Sequence, residues 1–397
     1  MKPKETAINV LVIPSWYPPG GGAFFREHSI ALAQSGLQVS VLAAIETGLR
    51  DDPGRFLRAG KKIQRKSGIT EYTEVVRRIP MSEKSNVRVW VNRVMRMYEK
   101  FHIQNGHPDI ILAHSSMWAG LAAARIRKKW GTPYVITEHR GRFTGIGNLP
   151  DLLIKPWHLP LYQEAFKNAE HIITVSEALQ QKIREIEPGV AGRLSSIPNM
   201  TDTEFFNINK KNNTGPFTFL CVAGYEPVKG IDLLIEAFAL LRDQTSRPVK
   251  LIIAGKDTEV PALQQMIRQH HLQDDVTCSG YLNREQLLKH LQSANAFVLP
   301  SRFEAFGIVL IEAMACGLPV IATRSGGPEE IVTNESGILC RPESTQDLSD
   351  AMQNMFQRAQ QYNPEKIRSA CVKRFSKDSV TNEYILLFNK LLQNQTS

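Results

Sequence analysis

Two carboxylates eight positions apart, Glu304 and Glu312, stand in an otherwise nearly apolar part of the chain. Residues 299–320 read LPSRFEAFGIVLIEAMACGLPV. This pattern predicts a buried strand that stops at Pro300, a tight loop, and then a helix that is apolar on almost every side. Such a helix is buried, and a buried carboxylate rarely lacks a partner. Both acids are therefore candidates for a functional site that other parts of the chain complete.

Other groups that could take part in chemistry occur in the first half of the chain. Gly21 and Gly22 close a three-glycine run before a helical pattern, where bare backbone N–H groups can approach an anion; a flexible turn is the alternative. The run is not G-x-G-x-x-G, so a dinucleotide fingerprint is not supported. His139 follows a predicted strand and stands beside Arg140 and Arg142. This position suits a substrate cleft, although a hydrogen-bonded loop histidine is the more common case.

Strands and helices alternate along the chain, and this alternation must position the candidate groups. It predicts strands over residues 8–13, 39–43, 109–114, 133–137, 169–175 and 194–197, and again over 217–223, 249–254, 276–279, 296–299 and 320–322. The alternation is typical of doubly wound parallel sheets, whose ligands bind beyond the carboxyl ends of the strands.

The length of the chain predicts more than one domain. Single hydrophobic cores seldom grow beyond roughly 250–300 residues, and this chain has 397. The strand pattern stops near residues 198–202 and then restarts. We therefore predict an α/β protein with a first domain over residues 1–200, a second over 201–376, and a cleft between them. An amphipathic helix over 377–397 is expected to cross back to the first domain.

The net charge of +9 is unevenly distributed. Residues 1–200 hold 28 Lys and Arg against 17 Asp and Glu, whereas residues 201–397 hold 20 against 22. The basic half suits an anionic lipid, a phosphorylated substrate or a nucleic acid. No zinc-finger spacing, aromatic RNA-binding stretch or clear helix-turn-helix accompanies the charge, so nucleic acid is not predicted as a partner.

A helical pattern over residues 86–102 combines basic side chains with Trp90 and Phe101. This combination suits a membrane interface, and an ordinary helix packed on the sheet is the alternative. No apolar run reaches the roughly 18 residues that would predict a membrane-spanning helix. The five scattered cysteines are predicted to be small buried residues in a reducing cytoplasm. We therefore predict a cytoplasmic protein with peripheral contact to the inner face of an anionic membrane.

The motifs resemble the retaining glycosyltransferases of family 4. Glu304 and Glu312 have the E-x7-E spacing of that family, within PSRFEAFGIVLIEAMACGLPVIA, which VTCSGYLNREQL and VKGIDLLIEAF precede. The first half matches in outline through the glycine run, the histidine after a strand, and VSEAL followed by IPNMTD. The resemblance implies the GT-B architecture of two Rossmann-like doubly wound domains with an inter-domain cleft. It also implies transfer of a hexose from a nucleotide-sugar to an acceptor.

The resemblance further implies roles for single residues. Glu304 is expected to contact the donor sugar, Glu312 the ribose hydroxyls, and His139 the sugar near its reacting carbon, so Glu304 and His139 are the expected catalytic residues. The diphosphate needs N–H donors and a cation, which a helix start and a lysine can supply. The expected donor-binding residues are Gly21, Gly22, Lys229, Phe306, Gly307, Ile308 and Glu312. Neither a metal nor a cofactor is expected, because protein groups neutralise the diphosphate in this family and no D-x-D motif occurs.

One position departs from the family pattern. Members commonly read V-G-R-L-x-P-x-K-G, and this chain reads VAGYEPVKG, so Lys229 is kept and Gly224 stands where an arginine is usual. We expect either that Arg140, Arg142 or Arg302 substitutes, or that diphosphate binding is weaker by roughly 1.5–3 kcal/mol.

The predicted acceptor is a glycan, lipid-linked or at a membrane surface, in the synthesis of a polysaccharide of the cell envelope. Three alternatives stay open. They are a GT-B epimerase of nucleotide-sugars, a non-catalytic partner subunit, which Gly224 favours, and a nucleic-acid-binding module.

Overall fold

The computed structural model describes residues 7–19, 21–49, 51–57, 60–78, 82–143, 154–209, 215–245 and 247–396. The chain divides into two compact units. The first unit runs to Ile197 and resumes at Val380, and the second runs from Pro198 to Ser379. These divisions lie a few residues from those predicted at 200/201 and 376/377.

The first unit is built on an eight-stranded sheet. Its strands are β1 (Asn9–Pro14), β2 (Gln38–Thr47), β3 (Lys61–Lys66), β4 (Ile69–Arg77), β5 (Ile110–His114), β6 (Tyr134–Glu138), β7 (His171–Thr174) and β8 (Leu194–Ser196). The order is β3-β4-β2-β1-β5-β6-β7-β8, and every pair is parallel except β3 with β4. β3 and β4 are additional to the predicted strands. β3 reads KKIQRK and is almost fully exposed, so no apolar alternation marks it in the sequence.

The helices of the first unit are α1 (Ala23–Gln34), α2 (Pro53–Leu57), α3 (Glu83–Asn105), α4 (Leu121–Trp130), α5 (Leu159–Lys167) and α6 (Gln180–Ile186). The hypothesis that the apolar face of the helix over 86–102, here α3, meets a membrane is wrong. Trp90 and Tyr98 are fully buried, and the Trp90 Nε1–H donates to the Ala44 carbonyl of β2 at 2.8 Å. The structure has the alternative, since α3 packs on the sheet. Helical periodicity indicates that a helix has an apolar face but does not indicate which surface covers that face.

The second unit is built on a six-stranded, wholly parallel sheet in the order β11-β10-β9-β12-β13-β14. Its strands are β9 (Phe217–Val222), β10 (Val249–Ala254), β11 (Val276–Cys278), β12 (Ala296–Leu299), β13 (Val320–Thr323) and β14 (Gly337–Cys340). The helices that follow β9 are α7 (Ile231–Gln244), α8 (Pro261–Gln269), α9 (Arg284–Ser293), α10 (Ile308–Ala315), α11 (Pro328–Ile331), α12 (Thr345–Arg358), α13 (Pro364–Phe375) and α14 (Lys377–Thr396). The predicted α/β fold with two Rossmann-like, doubly wound domains is confirmed.

In both sheets the strand order reverses at the first strand of the unit. β1 lies between β2 and β5, and β9 lies between β10 and β12. Helices cover both faces of such sheets, which is why these strands are short, nearly continuous apolar runs. Ligands of doubly wound sheets bind beyond the carboxyl ends of the strands at the reversal. The loops after β1 and β9 carry Gly22 and Lys229, and the loop after β12 carries Glu304.

The greater part of α14 packs on the first unit. The Tyr384 hydroxyl lies 3.1 Å from Thr137 Oγ1 of β6, and Thr381 Oγ1 lies 2.7 Å from Ser35 Oγ at the end of α1. Tyr384 is buried, so the last helix contributes to the core of this unit. The C-terminal segment therefore contacts the elements that carry the first unit's candidate residues.

Two expectations from composition can be compared with the structure. Four of the five cysteines are buried, as predicted for small core residues, and Cys278 is half-buried. Within the described residues, no helix has both the length and the apolar character needed to cross a membrane.

Candidate active site

Lys229 and Glu304 form a close ion pair at the strand-order reversal of the second unit. Lys229 ends a short 3-10 turn after β9, and Glu304 lies in the loop after β12. The Lys229 Nζ donates to Glu304 Oε2 at 2.8 Å, with the two side chains 27% and 14% exposed. Burial by itself would lower the pKa of Lys229, but the charge and hydrogen bond of Glu304 outweigh it, and the pKa is raised. Lys229 therefore stays a cation across the neutral pH range.

The two loops that carry this pair are packed backbone to backbone. Gly230 has a φ of +65°, and a Cβ on it would lie 2.2 Å from the Pro300 carbonyl oxygen. The Arg302 N–H donates to the Val228 carbonyl at 2.9 Å and joins the loop after β12 to the turn after β9. The position after Lys229 therefore requires glycine, both for its left-handed backbone and for the close approach of the loop after β12.

The backbone of Glu304 is fixed by a third loop. Its N–H donates to the Ser325 carbonyl at 3.0 Å, and its carbonyl accepts from the Gly327 N–H at 2.9 Å. A Cβ on Gly327 would lie 2.3 Å from the Cα of Phe306. The loop after β13 thus supports the segment from Glu304 to Phe306.

The predicted helix start lies at Gly307, which has a φ of +105° and precedes the first helical residue, Ile308. Phe306 is buried, whereas the side of α10 that stays partly exposed carries Ile308, Val309 and Glu312. Because Glu312 is one turn beyond Ile308, its carboxylate shares a face with the helix start. The first N–H groups of a helix have no intrahelical acceptor and form its positive end. The arrangement can therefore bind an anion beside two carboxylates.

Arg302 is not a substitute for the arginine that is absent at position 224. Its guanidinium makes two hydrogen bonds to Asp232, at 2.8 and 2.6 Å, and a third to the Pro227 carbonyl at 2.6 Å. These bonds commit it to α7 and raise its pKa, with the Asp232 hydrogen bond as the main cause. The expectation that Arg302 replaces the missing cation is not supported by this geometry.

Gly21 and Gly22 lie in the first unit, at the start of α1. Both have left-handed backbones, with φ of +105° and +71°. A Cβ on Gly22 would lie 2.4 Å from the Trp16 carbonyl oxygen, so this position excludes any side chain. The glycine run brings bare backbone to the end of β1, as an anion-binding loop requires.

His139 follows β6, and the residue before it fixes its backbone. The predicted strand ended at Thr137, whereas β6 includes Glu138, whose side chain is fully buried. Glu138 Oε1 accepts the backbone N–H groups of His139 and Arg140, both at 2.9 Å. Its Oε2 accepts the N–H of Ser116 at 2.8 Å and also the Ser116 hydroxyl. Four donors thus make this buried carboxylate tolerable, and they set the turn that carries His139.

A cavity of about 550 Å³ opens near the ends of β1 and β2 in the first unit. Its lining includes Trp16, Trp118, Arg78, Arg140 and Glu46. The Arg140 guanidinium lies over the Trp16 ring at 4.8 Å, and its buried Nε has no hydrogen-bond partner among the described residues. Burial raises the pKa of Glu46. Indole rings with guanidinium and carboxylate groups can bind a polar ring, and the sequence pattern had not marked Trp16, Trp118 or Glu46.

The structure thus brings the candidate residues together in two groups. The second unit holds Lys229, Glu304, Phe306, Gly307, Ile308 and Glu312, and the first unit holds Gly21, Gly22 and His139. In the described parts of the chain, no group of three or more His, Cys, Asp and Glu side chains is arranged to hold a metal ion. Independence from metal stays a prediction.

Two family models match the chain, one over each half. The model described as Glycosyltransferase Family 4 matches residues 19–205, and the model described as Glycosyl transferases group 1 matches residues 202–378. Together they account for nearly all of both units. The chain belongs to the glycosyltransferases that combine these two domains.

Several proteins are similar to this chain over most of its length. Glycogen synthase from Mycobacterium tuberculosis is 28% identical over 378 residues, which cover 88% of this chain and 86% of that protein. The putative teichuronic acid biosynthesis glycosyltransferase TuaC from Bacillus subtilis is 26% identical over 382 residues, covering 90% and 91%. Sucrose-phosphate synthase from Thermosynechococcus elongatus superposes with a TM-score of 0.79 at 21% identity, covering 97% and 100%. At that identity, the structural likeness concerns the fold alone.

Proposed function

We propose that this chain transfers a hexose from a nucleotide-sugar to a saccharide acceptor with retention of the anomeric configuration. The observation that carries the proposal is the Lys229–Glu304 pair beside the start of α10. A sugar diphosphate needs a cation and N–H donors for its phosphates and a fixed acceptor for its hydroxyls. The membership in the glycosyltransferases supports the same assignment.

In the proposed reaction, the bond from the anomeric carbon to the diphosphate oxygen breaks, and a bond to an acceptor hydroxyl oxygen forms. The electron pair of the broken bond leaves with the nucleoside diphosphate, which takes up the hydroxyl proton. A lysine ammonium has three N–H donors, so Lys229 can keep Glu304 and still bind a phosphate oxygen. Phe306, Gly307 and Ile308 provide the helix-start N–H groups.

The remaining roles concern the hydroxyl groups and the reacting carbon. Glu304 accepts from a sugar hydroxyl and Glu312 from the ribose hydroxyls. Gly21 and Gly22 leave room for the diphosphate at the end of β1, and His139 contacts the sugar near its anomeric carbon. No metal takes part in this proposal, so EDTA should leave the rate unchanged.

The first experiment is a thermal-shift screen of the full chain with UDP, GDP and ADP, followed by turnover assays with the matching nucleotide-hexoses. One diphosphate should raise the melting temperature, because ligand binding at about 100 times Kd stabilises the native state by roughly 2.7 kcal/mol. Its nucleotide-hexose should then be consumed only when an acceptor is present. The anomeric proton of the product, followed by NMR, reports whether the configuration is retained.

The same assays separate the alternatives. A flat thermal response to all three diphosphates contradicts the proposal and favours a non-catalytic partner subunit. Release of nucleotide and conversion of the sugar without an acceptor favours an epimerase. Tight, steeply salt-dependent binding of oligonucleotides favours a nucleic-acid-binding module.

Replacing Gly224 by the arginine that family members commonly have should strengthen binding of the nucleotide-sugar. Gly224 has no left-handed backbone, and a Cβ on it would make only ordinary contacts, 3.5 Å from the Lys256 carbonyl oxygen and 3.7 Å from Glu226 Oε1. Gly224→Arg should lower the KM for the nucleotide-sugar about tenfold or more, as one added charge-assisted contact of roughly 1.5–3 kcal/mol requires. Gly215→Arg, an equal charge change at an open surface position, should leave KM unchanged. An equal effect of both variants would mean that overall charge, and not a contact at position 224, improves binding.

The acceptor is proposed to be a saccharide, lipid-linked or displayed at the membrane surface, in the synthesis of an envelope polysaccharide. The cavity with Trp16, Trp118 and Arg140 supports a saccharide, because indole rings stack on sugar rings while charged groups bind hydroxyls. The basic first half of the chain supports contact with the inner face of an anionic membrane. Since α3 buries its apolar face, we assign this contact to the exposed edge strand β3. Its four basic residues flank Ile63, which is 64% exposed.

Reversing charge on β3 should weaken binding to anionic vesicles. Lys62→Glu combined with Lys66→Glu removes two exposed cations, each worth roughly 1 kcal/mol near an anionic surface, and adds two anions, so binding should fall at least about thirtyfold. Sedimentation with anionic phosphatidylglycerol vesicles measures the fraction of bound protein, and sedimentation with phosphatidylcholine vesicles, which carry no net charge, measures the binding that does not depend on lipid charge. Lys289→Glu, an exposed lysine of α9, is the matched control and should have little effect. Unchanged sedimentation of the double variant would mean that β3 is charged only to prevent edge-to-edge pairing of sheets.

A further inference from the structure

Three histidines are arranged in series in the first unit. His28 belongs to α1, His114 ends β5, and His139 follows β6. His28 Nδ1 lies 3.3 Å from His114 Nε2, and His114 Nδ1 lies 3.0 Å from His139 Nε2. His114 therefore uses both ring nitrogens, and the three rings form one hydrogen-bonded chain, which we call the histidine chain.

The histidine chain is enclosed by aromatic rings. Phe25 stacks on His114 with ring centroids 4.7 Å apart and meets His139 edge to face at 5.0 Å. Tyr384 of α14 lies 4.6 Å from His28. His28 and His114 are both buried, and burial lowers the pKa of His28 to about 3 and that of His114 well below its usual value. Both rings are therefore neutral near pH 7, and each has one N–H and one lone pair.

When neutral imidazole rings are hydrogen-bonded in series, every ring must donate its N–H in the same direction along the series. If His28 donates to His114, then His114 must donate to His139, because its single proton is on the remaining nitrogen. The opposite direction would place a proton on His28 Nε2, which is buried and has no hydrogen-bond partner among the described residues. An unpaired buried N–H is rarer and more costly than an unused lone pair, and the nearby Tyr384 ring is only a weak acceptor. The first direction is therefore the favoured one.

We propose that His28 and His114 are positioning residues that hold the His139 ring with Nε2 as an acceptor and its proton on Nδ1. The proposal rests on the proposed function only in that His139 contacts the donor sugar. To place a proton on His139 Nε2, both hydrogen bonds would have to reverse and leave the unpaired N–H on His28. The histidine chain thus gives His139 one orientation and one polarity before the substrate arrives.

The direct test is a long-range proton–nitrogen NMR spectrum of the full chain with ¹⁵N-labelled histidine, recorded without substrate near pH 7. We expect the Nδ1–H tautomer for His28, His114 and His139 alike. An Nε2–H tautomer at His139 would overturn the proposal. Because this spectrum involves no turnover, it separates the two proposals: the histidine chain can stand although no nucleotide-sugar is consumed, and an active enzyme with the other tautomer retains the proposed function alone.

Variants of His28 test whether the far end of the histidine chain acts on His139. His28→Phe keeps an aromatic ring of similar shape but removes the donor, so His139 should show a mixture of tautomers. In the active enzyme, kcat should fall about tenfold with little change in KM, as expected for one lost hydrogen bond. His28→Asn places an amide near the former Nδ1 and should restore both the tautomer and much of kcat. A loss of kcat without any change in tautomer, or equal losses in both variants, would contradict the proposal.

His171 provides the control for a general effect of losing a histidine. It lies on β7 of the same unit, and its Nε2 lies 2.8 Å from Ser195 Oγ, away from the histidine chain. His171→Phe should leave the His139 tautomer and kcat unchanged, and a change as large as that of His28→Phe would overturn the proposal. If His28→Phe does not fold, the spectra of the wild-type chain and of His28→Asn still decide it.

Discussion

Lys229→Met should reduce kcat/KM for transfer at least about a hundredfold while the second unit stays folded. The Lys229 ammonium is held 2.8 Å from Glu304 and remains 27% exposed, so it can reach a bound diphosphate. Loss of a preorganised charge that stabilises the leaving group typically costs roughly 100- to 1,000-fold in rate. Methionine keeps the unbranched shape and most of the length of the lysine side chain, so packing changes little. Steady-state transfer assays and calorimetric titration with the nucleoside diphosphate measure the effect.

The partner of Lys229 allows a double-mutant cycle. Glu304→Gln keeps an oxygen near the Lys229 ammonium but removes the carboxylate charge, so hexose transfer should fall while the nucleoside diphosphate still binds. The effects of Lys229→Met and Glu304→Gln on kcat/KM should be far from additive, because both side chains act on the same bound nucleotide-sugar. Arg302→Met is the control, since Arg302 lies in the same loop as Glu304 but its guanidinium is bound to Asp232 of α7. If Arg302→Met eliminates donor binding and Lys229→Met does not, Lys229 is the wrong cation.

The pH dependence of the Lys229 variants follows from the sign of its pKa shift. Burial would lower the pKa of Lys229, but Glu304 more than compensates and raises it above 10.5. A raised lysine pKa adds stability that is fully present below pH 10.5 and is lost only as the pH rises through the higher folded-state value. Between pH 6 and 9, Lys229→Met should therefore lower activity by a constant factor. A ratio of wild-type to variant rate that changes across this range would contradict the assignment.

The strand–helix alternation was sufficient to predict most strands of both sheets, because parallel strands covered on both faces are short apolar runs. It was also sufficient to place Lys229 and Glu304 at the ends of β9 and β12. It did not predict their ion pair, since the pairing of β9 with β12 and the contact of Gly230 with Pro300 arise only in the folded sheet. The sequence therefore predicts which candidate residues lie in which loops, but it does not predict the contacts between those loops.

The first unit was harder to predict for two physical reasons. The edge strand β3 buries almost nothing, so it carries no apolar period, and α3 has an apolar face whose partner the period does not identify. The histidine chain depends on the contact of His28 of α1 with His114 of β5 and on the pairing of β5 with β6, and its members are 86 and 25 positions apart in the chain. The predicted strand ended at residue 137 and left Glu138 outside it, whereas β6 includes Glu138. Only the structure reveals the donors that permit its burial.

Glu138→Gln should destabilise the first unit by roughly 2–4 kcal/mol and lower kcat as well. Glu138 is fully buried, and its oxygens accept the N–H groups of His139 and Arg140 on one side and the N–H and hydroxyl of Ser116 on the other. Glutamine has one oxygen, so its amide N–H₂ must face donors on one of these sides. Each buried donor left without an acceptor costs about 1–3 kcal/mol. The melting temperature of the full chain measures the loss.

The effect of Glu138→Gln on kcat distinguishes a role of Glu138 in positioning His139 from a simple loss of packing. If Glu138 Oε1 sets the turn at His139, hydrogen exchange should accelerate at the His139 and Arg140 amides first, and kcat should fall at temperatures where the variant is still folded. Glu164→Gln is the matched control, because that glutamate pairs with Arg125 at the surface and exposed pairs contribute only about 0–1 kcal/mol. Equal melting temperatures for the two variants would show that the four hydrogen bonds of Glu138 contribute no more than one exposed ion pair. In that case the placement of His139 would depend on the histidine chain and on the neighbouring rings, which include Phe24 and Phe25.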